Sequence, residues 1–143
     1  MPQIRVVALA LVRRPGTRQV LVFERTHPVT GARFRRPVGG GVEFGETSAE
    51  AAVRELREEL GVAGRAVRPR GTYEQVFTTR HGNRKHEVVF VHEVEVEPEW
   101  YALDLPPDVE SGRDPGLWHD CDDPPPGVAL YPEGVDTLVE RAP

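Results

Sequence analysis

A single α/β domain is the fold class this sequence predicts, on three observations. Short valine-rich runs recur along the chain, bounded by Gly, Pro or charged residues, as the strands of a sheet are. One segment, Ser48 to Leu60, carries apolar residues at helical spacing together with start and stop signals at its two ends. The 143 residues suffice for one core with a site on its surface, and no internal repeat or linker divides them.

The elements follow in order. Ile4 to Val12 is rich in Val, Leu and Ala and ends at Arg13-Arg14-Pro15-Gly16, a buried strand running into a turn. Val20 to Arg25 is a second strand, and Ala32 to Arg36 a brief extended segment. Pro37-Val38-Gly39-Gly40-Gly41 is expected to lie outside regular structure, because consecutive glycines leave the backbone unrestrained. Thr47 reads as an N-cap with Glu50 completing a capping box, and Gly61 as the left-handed residue that ends the helix. Val67 to Thr78 is a strand interrupted near Gly71; His81-Gly82-Asn83 is a hairpin turn; His86 to Val96 is the most valine-dense strand. Pro98 to Pro115 is a long, acidic, proline-rich loop of the kind that is often functional. A short strand spans Leu117 to His119, and Pro132 is expected to open a final helix reaching about Arg141.

Charge and composition exclude several functions. The net charge of −5 argues against broad nucleic-acid binding. Cys121 is the only cysteine, so no intramolecular disulfide forms, which fits a reducing cytoplasm. The apolar run Val6 to Val12 is too short for a membrane span and lacks the basic flank of a signal peptide.

The chemistry concentrates in residues 40–62, which read Gly40-x5-Glu46-x7-Arg54-Glu55-Leu56-x-Glu58-Glu59-x-Gly61-Val62. At about 100° per residue, Glu55, Glu58 and Glu59 share an arc of roughly 100°. Ala49, Ala52, Val53, Leu56 and Leu60 form the adjacent apolar stripe. Like charges at this spacing weaken an isolated helix by roughly a few tenths of a kcal/mol per pair, and a cation reverses that penalty. Arg54 is placed to orient Glu58 or to reach back to Glu46. Read by itself, the run also fits a solvated acidic face with incidental ion pairs.

With the glycine loop and Glu46 in front and Gly61 behind, the segment resembles the Nudix box, the signature of the Nudix hydrolase superfamily, and all nine specified positions match. The resemblance implies a single domain over residues 1–143, with the box at 40–62, folded as an α/β/α sandwich around a mixed, partly barrel-like sheet. It implies hydrolysis of a nucleoside diphosphate linked to another moiety, with Mg²⁺ or Mn²⁺. By position in the box, Glu55, Glu58 and Glu59 are the implied metal ligands. Gly40 is the glycine where backbone approaches metal or substrate, and Arg54 with Glu46 braces loop and helix. Glu58 or Glu59 is the expected general base. Glu110, in the long loop before Trp118, is a further candidate for metal binding or catalysis, with Asp108 and Asp114 as its competitors.

Hard divalent cations prefer oxygen ligands, so a few carboxylates and substrate phosphates suit them. Arg25, Arg33, Arg35 and Arg36 form a basic cluster from which one or two could grip phosphate through a two-pronged bond. Phe34 reads as core. His86 or Glu87, on opposite faces of one strand, is expected to point into the cleft, although a structural histidine fits equally. Trp100 and Tyr101 either stack a base or anchor their loop. Tyr73, Tyr131 and Trp118 suggest only packing, and Cys121 a bystander thiol.

The substrate class expected is a nucleoside triphosphate, an ADP-ribose-like molecule or a nucleotide sugar. No proline falls at the downstream position that ADP-ribose hydrolases tend to carry, so the individual substrate stays open. Two other functions compete with this one. A non-hydrolytic regulatory module of this fold often loses box carboxylates, which are all present here. An isoprenoid diphosphate isomerase would want a placed cysteine, and Cys121 lies near the C-terminal end. A small-molecule substrate with no membrane or nucleic-acid partner is expected; the sequence leaves the oligomeric state open, a homodimer being common in the family it resembles.

Overall fold

The computed structural model of the protein describes residues 2–26, 29–104 and 116–140. Seven strands form one mixed sheet: β1 (Ile4–Leu11), β2 (Gln19–Thr26), β3 (Arg33–Gly41), β4 (Gly64–Thr78), β5 (Arg84–Val96), β6 (Leu117–Asp120) and β7 (Ala129–Leu130). Their order is β4-β5-β1-β3-β2-β6, with β7 beside β3, so the sheet is open rather than closed. β1 runs parallel to β5 and antiparallel to β3.

The continuous apolar run of β1 is explained by cover on both faces. Ala8, Ala10 and Val12 face helix α1 (Ser48–Leu60), packing with Leu56, Leu60, Leu21, Val38 and Val94. Val7, Leu9 and Leu11 face the other way and pack with Val89, Val91, Val135 and Val139. Leu56 and Leu60 are fully buried, and truncating either to Ala would cost about 2–5 kcal/mol.

Helix α1 begins and ends where its caps dictate. The Thr47 hydroxyl accepts from the Glu50 amide at 3.1 Å. Gly61, at φ 69°, donates its amide to the Arg57 carbonyl. The buried stripe is rotated from the expected one: Ala51 is buried, while Ala49 and Val53 are only half-buried. Ala51 packs in the same cluster as Ala8, Ala10 and Leu56.

Two further expectations are corrected. The glycine run is not irregular but forms the end of β3, with Gly39, Gly40 and Gly41 registered against Leu9, Ala8 and Val7. A Cβ on Gly39 would stand 2.0 Å from the Ala8 carbonyl oxygen. Glycine is present there for close approach, not for freedom of the backbone. The final helix is also absent among the described residues: only a 3₁₀ turn, Val135–Leu138, follows Pro132. Gly134 takes the left-handed conformation at φ 92° and interrupts any helix begun at Pro132, and Val135, Thr137 and Val139 are β-branched residues of lower helix propensity. The long loop opens with a one-turn helix, α2 (Pro98–Tyr101).

Candidate active site

The loop between β3 and α1 turns at Gly45 (φ 92°) and folds Glu46 back towards the helix. There Arg54 acts as a hub. Its guanidinium donates to Glu46 Oε1 at 2.7 Å, to the Gly41 carbonyl at 2.9 Å, and to Glu55 Oε1 and Glu58 Oε2 at 3.0 Å each. Glu46 also accepts from the Glu43 amide at 2.8 Å. The Arg54 hydrogen bonds, and secondarily that amide, hold the Glu46 carboxyl below its ordinary pKa. The same contacts raise Arg54. One side chain thus ties the strand end, the loop and two helical carboxylates together.

Glu55 is the most enclosed of the three helical glutamates, its side chain 13% exposed. It lies directly over Gly40, where an added Cβ would come within 2.7 Å of the carboxylate. Burial pushes the Glu55 carboxyl above its usual range, Arg54 opposes this, and the charges of Glu58 and Glu59 add to it. Glu58 is exposed on the next turn and Glu59 half-buried beside it. Among the described residues no three His, Cys, Asp or Glu side chains converge tightly enough to enclose an ion on their own. The donor set is nevertheless all oxygen, and the bare backbone at Gly40 is what lets the Glu55 carboxylate lie against the strand. Both features fit a hard divalent cation completed by substrate oxygens and water. Glu110, Asp108 and Asp114 lie outside the described residues.

The arginine cluster divides sharply. Arg33 and Arg35 both pair with Glu24, whose carboxyl they hold low against the opposing effect of burial. Arg35 also stands 3.2 Å from His119 Nδ1. Arg25 donates to the Glu24 carbonyl at 3.0 Å and lies 4.5 Å over the Phe23 ring. Arg36 makes no hydrogen bond or ion pair among the described residues and lines a cavity of about 480 Å³. Burial lowers its pKa, while the charges of Glu87 and Glu55 work against that. Arg36 is therefore coupled to both the cavity and the carboxylate helix.

His86 points away from that cavity and sits 3.4 Å from Glu74, whereas its neighbour Glu87 lines it. Trp100 and Tyr101 pack on the core beneath α1, and the Tyr101 hydroxyl accepts from the Val96 amide. They anchor their loop. Phe34 meets Tyr131 edge-on, ring centres 5.5 Å apart, and both line the cavity with Tyr73.

Three residues carry no functional signal in the sequence. Tyr73 and Tyr131 are brought together only by the pairing of β4 with β5 and of β7 with β3, so no local signal marks them. His92 is 8% exposed and shares a 2.8 Å hydrogen bond with the Ser48 hydroxyl at the first residue of α1. Burial lowers its pKa, and as a neutral ring it fixes the start of the carboxylate helix on β5.

The family model for the NUDIX domain matches residues 3–136. Among solved structures, a MutT NUDIX hydrolase from Burkholderia pseudomallei superposes with a TM-score of 0.64 at 21% identity, covering 99% of each chain. The E. coli ORF135 protein gives 0.58 at 21% identity, over 96% of this chain and 87% of that one. An ADP-ribose pyrophosphatase from Streptococcus suis gives 0.54 at 15%, over 96% and 87%. No curated protein matches the sequence significantly. At these identities the structures speak for the fold alone, but the family match spans nearly the whole chain. With the box residues gathered around Arg54 at one end of α1's sheet, the chain belongs to the NUDIX domain family and is a pyrophosphohydrolase of the Nudix type.

Proposed function

We propose that this enzyme hydrolyses a phosphoanhydride bond in a nucleoside diphosphate derivative by attack of water on phosphorus, using Mg²⁺ or Mn²⁺. The observation that carries the proposal is the carboxylate helix, where Arg54 binds Glu46, Glu55 and Glu58 and Glu55 lies over Gly40; on the strand that ends there, the guanidinium of Arg36 lines the cavity. A substrate with its phosphates near α1 and its other moiety in the cavity would pass this cation, whose planar fork suits phosphate oxygens.

Glu55, Glu58, Glu59 and Gly40 would hold the cation, with Glu110 as a further contributor. When bound, the cation screens phosphate charge, polarises phosphorus and acidifies water. Glu58 or Glu59 takes the proton of the attacking water, a role worth typically about 10²–10⁴-fold. Arg54 and Glu46 keep helix and loop in register. Arg25 and Arg35, tied to Glu24, shape the strands from which Arg36 projects. His86 lies further off, at the rim near β4.

The nucleoside triphosphates, ADP-ribose-like molecules and nucleotide sugars all remain within this class. No helix among the described residues is long and apolar enough to cross a membrane. Burial pushes the Cys121 thiol up to about 11, so little of it is thiolate at neutral pH; a cytoplasmic location is part of the proposal.

A hydrolysis screen with Mg²⁺ and Mn²⁺ over nucleoside triphosphates, ADP-ribose, nucleotide sugars and dinucleoside polyphosphates tests the proposal, with products separated chromatographically. One preferred, chelator-sensitive substrate is expected. Nucleotide binding without turnover under either metal would favour a sensor of the same fold instead.

A further inference from the structure

The cavity beside Arg36 has an apolar floor, Leu9 and Val89, and aromatic walls, Phe34, Tyr73 and Tyr131. Flat faces of this kind suit a planar ring. Into it projects one mostly buried carboxylate. Glu87 has a side chain only 16% exposed; among the described residues its one ion-pair partner is Arg5, at 3.4 Å from Oε2, and Arg36 lines the same cavity. Arg5 is itself 57% exposed, so this contact is long and solvated. Glu87 Oε1 accepts no hydrogen bond among the described residues. Glu87 Oε1 is therefore open to the cavity, and a ligand that displaces water from it must supply donors in return.

An ionised carboxylate accepts and never donates, and its two oxygens can take two parallel N–H bonds, as they do from arginine. The ring edges of the nucleobases differ in this respect. Guanine presents adjacent N1–H and N2–H donors. Adenine presents a ring-nitrogen acceptor beside its amino group, and cytosine does likewise. Uracil offers a single N–H between two carbonyls. Only the guanine edge meets Glu87 without setting an acceptor against it. A site built to receive donors rejects a ligand lacking them strongly, because its own buried group is left unpaired.

We propose that Glu87 is a specificity-determining residue, which accepts two adjacent N–H donors from the ring of the bound moiety and so selects guanine over adenine nucleotides. The inference rests on the proposal that a nucleotide enters this site. A ribose diol also offers paired donors, and a deoxynucleotide separates that source from the base.

The experiment measures kcat/KM for GTP, 2′-deoxy-GTP, ITP and ATP with wild type and Glu87→Gln, and calorimetric binding of GDP and ADP, which does not depend on turnover. In wild type, GTP and deoxy-GTP should exceed ATP by at least about tenfold, with ITP, lacking the 2-amino group, in between. Glu87→Gln keeps the size of the side chain but turns one acceptor into a donor. It should erase the preference by lowering the guanine nucleotides rather than by lowering all four alike. The wild-type series tests the idea even should the variant fold poorly.

Equal use of GTP and ATP by wild type, or a guanine preference untouched in Glu87→Gln, would overturn the proposal. So would a Glu87-dependent preference that disappears with deoxy-GTP, since the carboxylate would then be reading ribose. Glu87-dependent binding of GDP over ADP without any hydrolysis would uphold this inference and overturn the hydrolytic one. Hydrolysis of all four at one rate would do the reverse, and neither binding nor hydrolysis would overturn both.

Discussion

Arg54 Nε stands 3.1 and 3.3 Å from the two carboxylate oxygens of Glu46, while its Nη2 donates to Oε1 at 2.7 Å. The loop that precedes α1 is thereby fastened to the helix by a fork rather than by a point charge. Lysine cannot reproduce that fork. Arg54→Lys and Glu46→Gln should each lower kcat/KM by about 10–100-fold, the usual cost of losing a group that orients metal ligands. Circular dichroism should show the fold retained. Activity within twofold of wild type in both variants would remove the pair from the site.

Glu58→Gln and Glu59→Gln should separate chemistry from folding. At least one of them should cut kcat by about 10²-fold or more, because proton transfer or metal binding fails while the helix remains. Steady-state kinetics at saturating Mg²⁺ provide the check. Near-normal turnover in both would sink the assignment of this helix as the metal site.

Glu55 should set stability against function. Burial raises its folded-state pKa above the ordinary value, so the ionised form is the one that folding disfavours. Its contribution to stability is full below the unfolded pKa of about 4.3 and is lost as pH rises through the raised folded value. In metal-free protein at pH 7, Glu55→Gln should therefore raise Tm while reducing activity, and the gain should vanish below about pH 4. Glu46 has the opposite sign: its lowered pKa contributes stability above the unfolded value that is lost as pH falls. Added Mg²⁺ should raise the Tm of wild type more than that of Glu55→Gln. A lower Tm for the metal-free variant at pH 7 would contradict this account.

The adjacent glycines should respond differently to the same methyl group. At Gly39 a Cβ meets backbone, 2.0 Å from the Ala8 oxygen, whereas at Gly40 it meets the Glu55 carboxylate at 2.7 Å. Gly39→Ala should destabilise severely, since neither strand can yield. Gly40→Ala should displace a side chain, so it should weaken activation by Mg²⁺ more than it lowers Tm. Thermal melts with metal titrations of activity decide the matter, and matching losses in both variants would show that Gly40 is only structural.

Local chemistry made much of this protein legible in its sequence. Thr47, Glu50 and Gly61 fix both ends of α1 through hydrogen bonds made within a few residues, and those ends emerged where the sequence put them. Strands β1, β2, β4, β5 and β6 were readable too, because valine density and turn residues act over one element at a time, whereas β7 and the glycine end of β3 were not. The box residues were legible for the same reason: Glu55, Glu58 and Glu59 share a helical face by spacing alone.

Tertiary structure decided what depends on pairing between distant segments. Gly39 to Gly41 carry no strand propensity, yet the edge of β1 draws them into the sheet. Four arginines looked alike in the sequence, but Glu24, one strand away, consumes Arg33 and Arg35 and leaves Arg36 to the cavity. Tyr73, Glu87 and Tyr131 meet around one space only because register sets β4 on β5 and β7 on β3. Helix caps and turns are settled by neighbours in the chain, whereas the depth of a cavity and the freedom of a charge are settled by whichever strand comes to lie beside it.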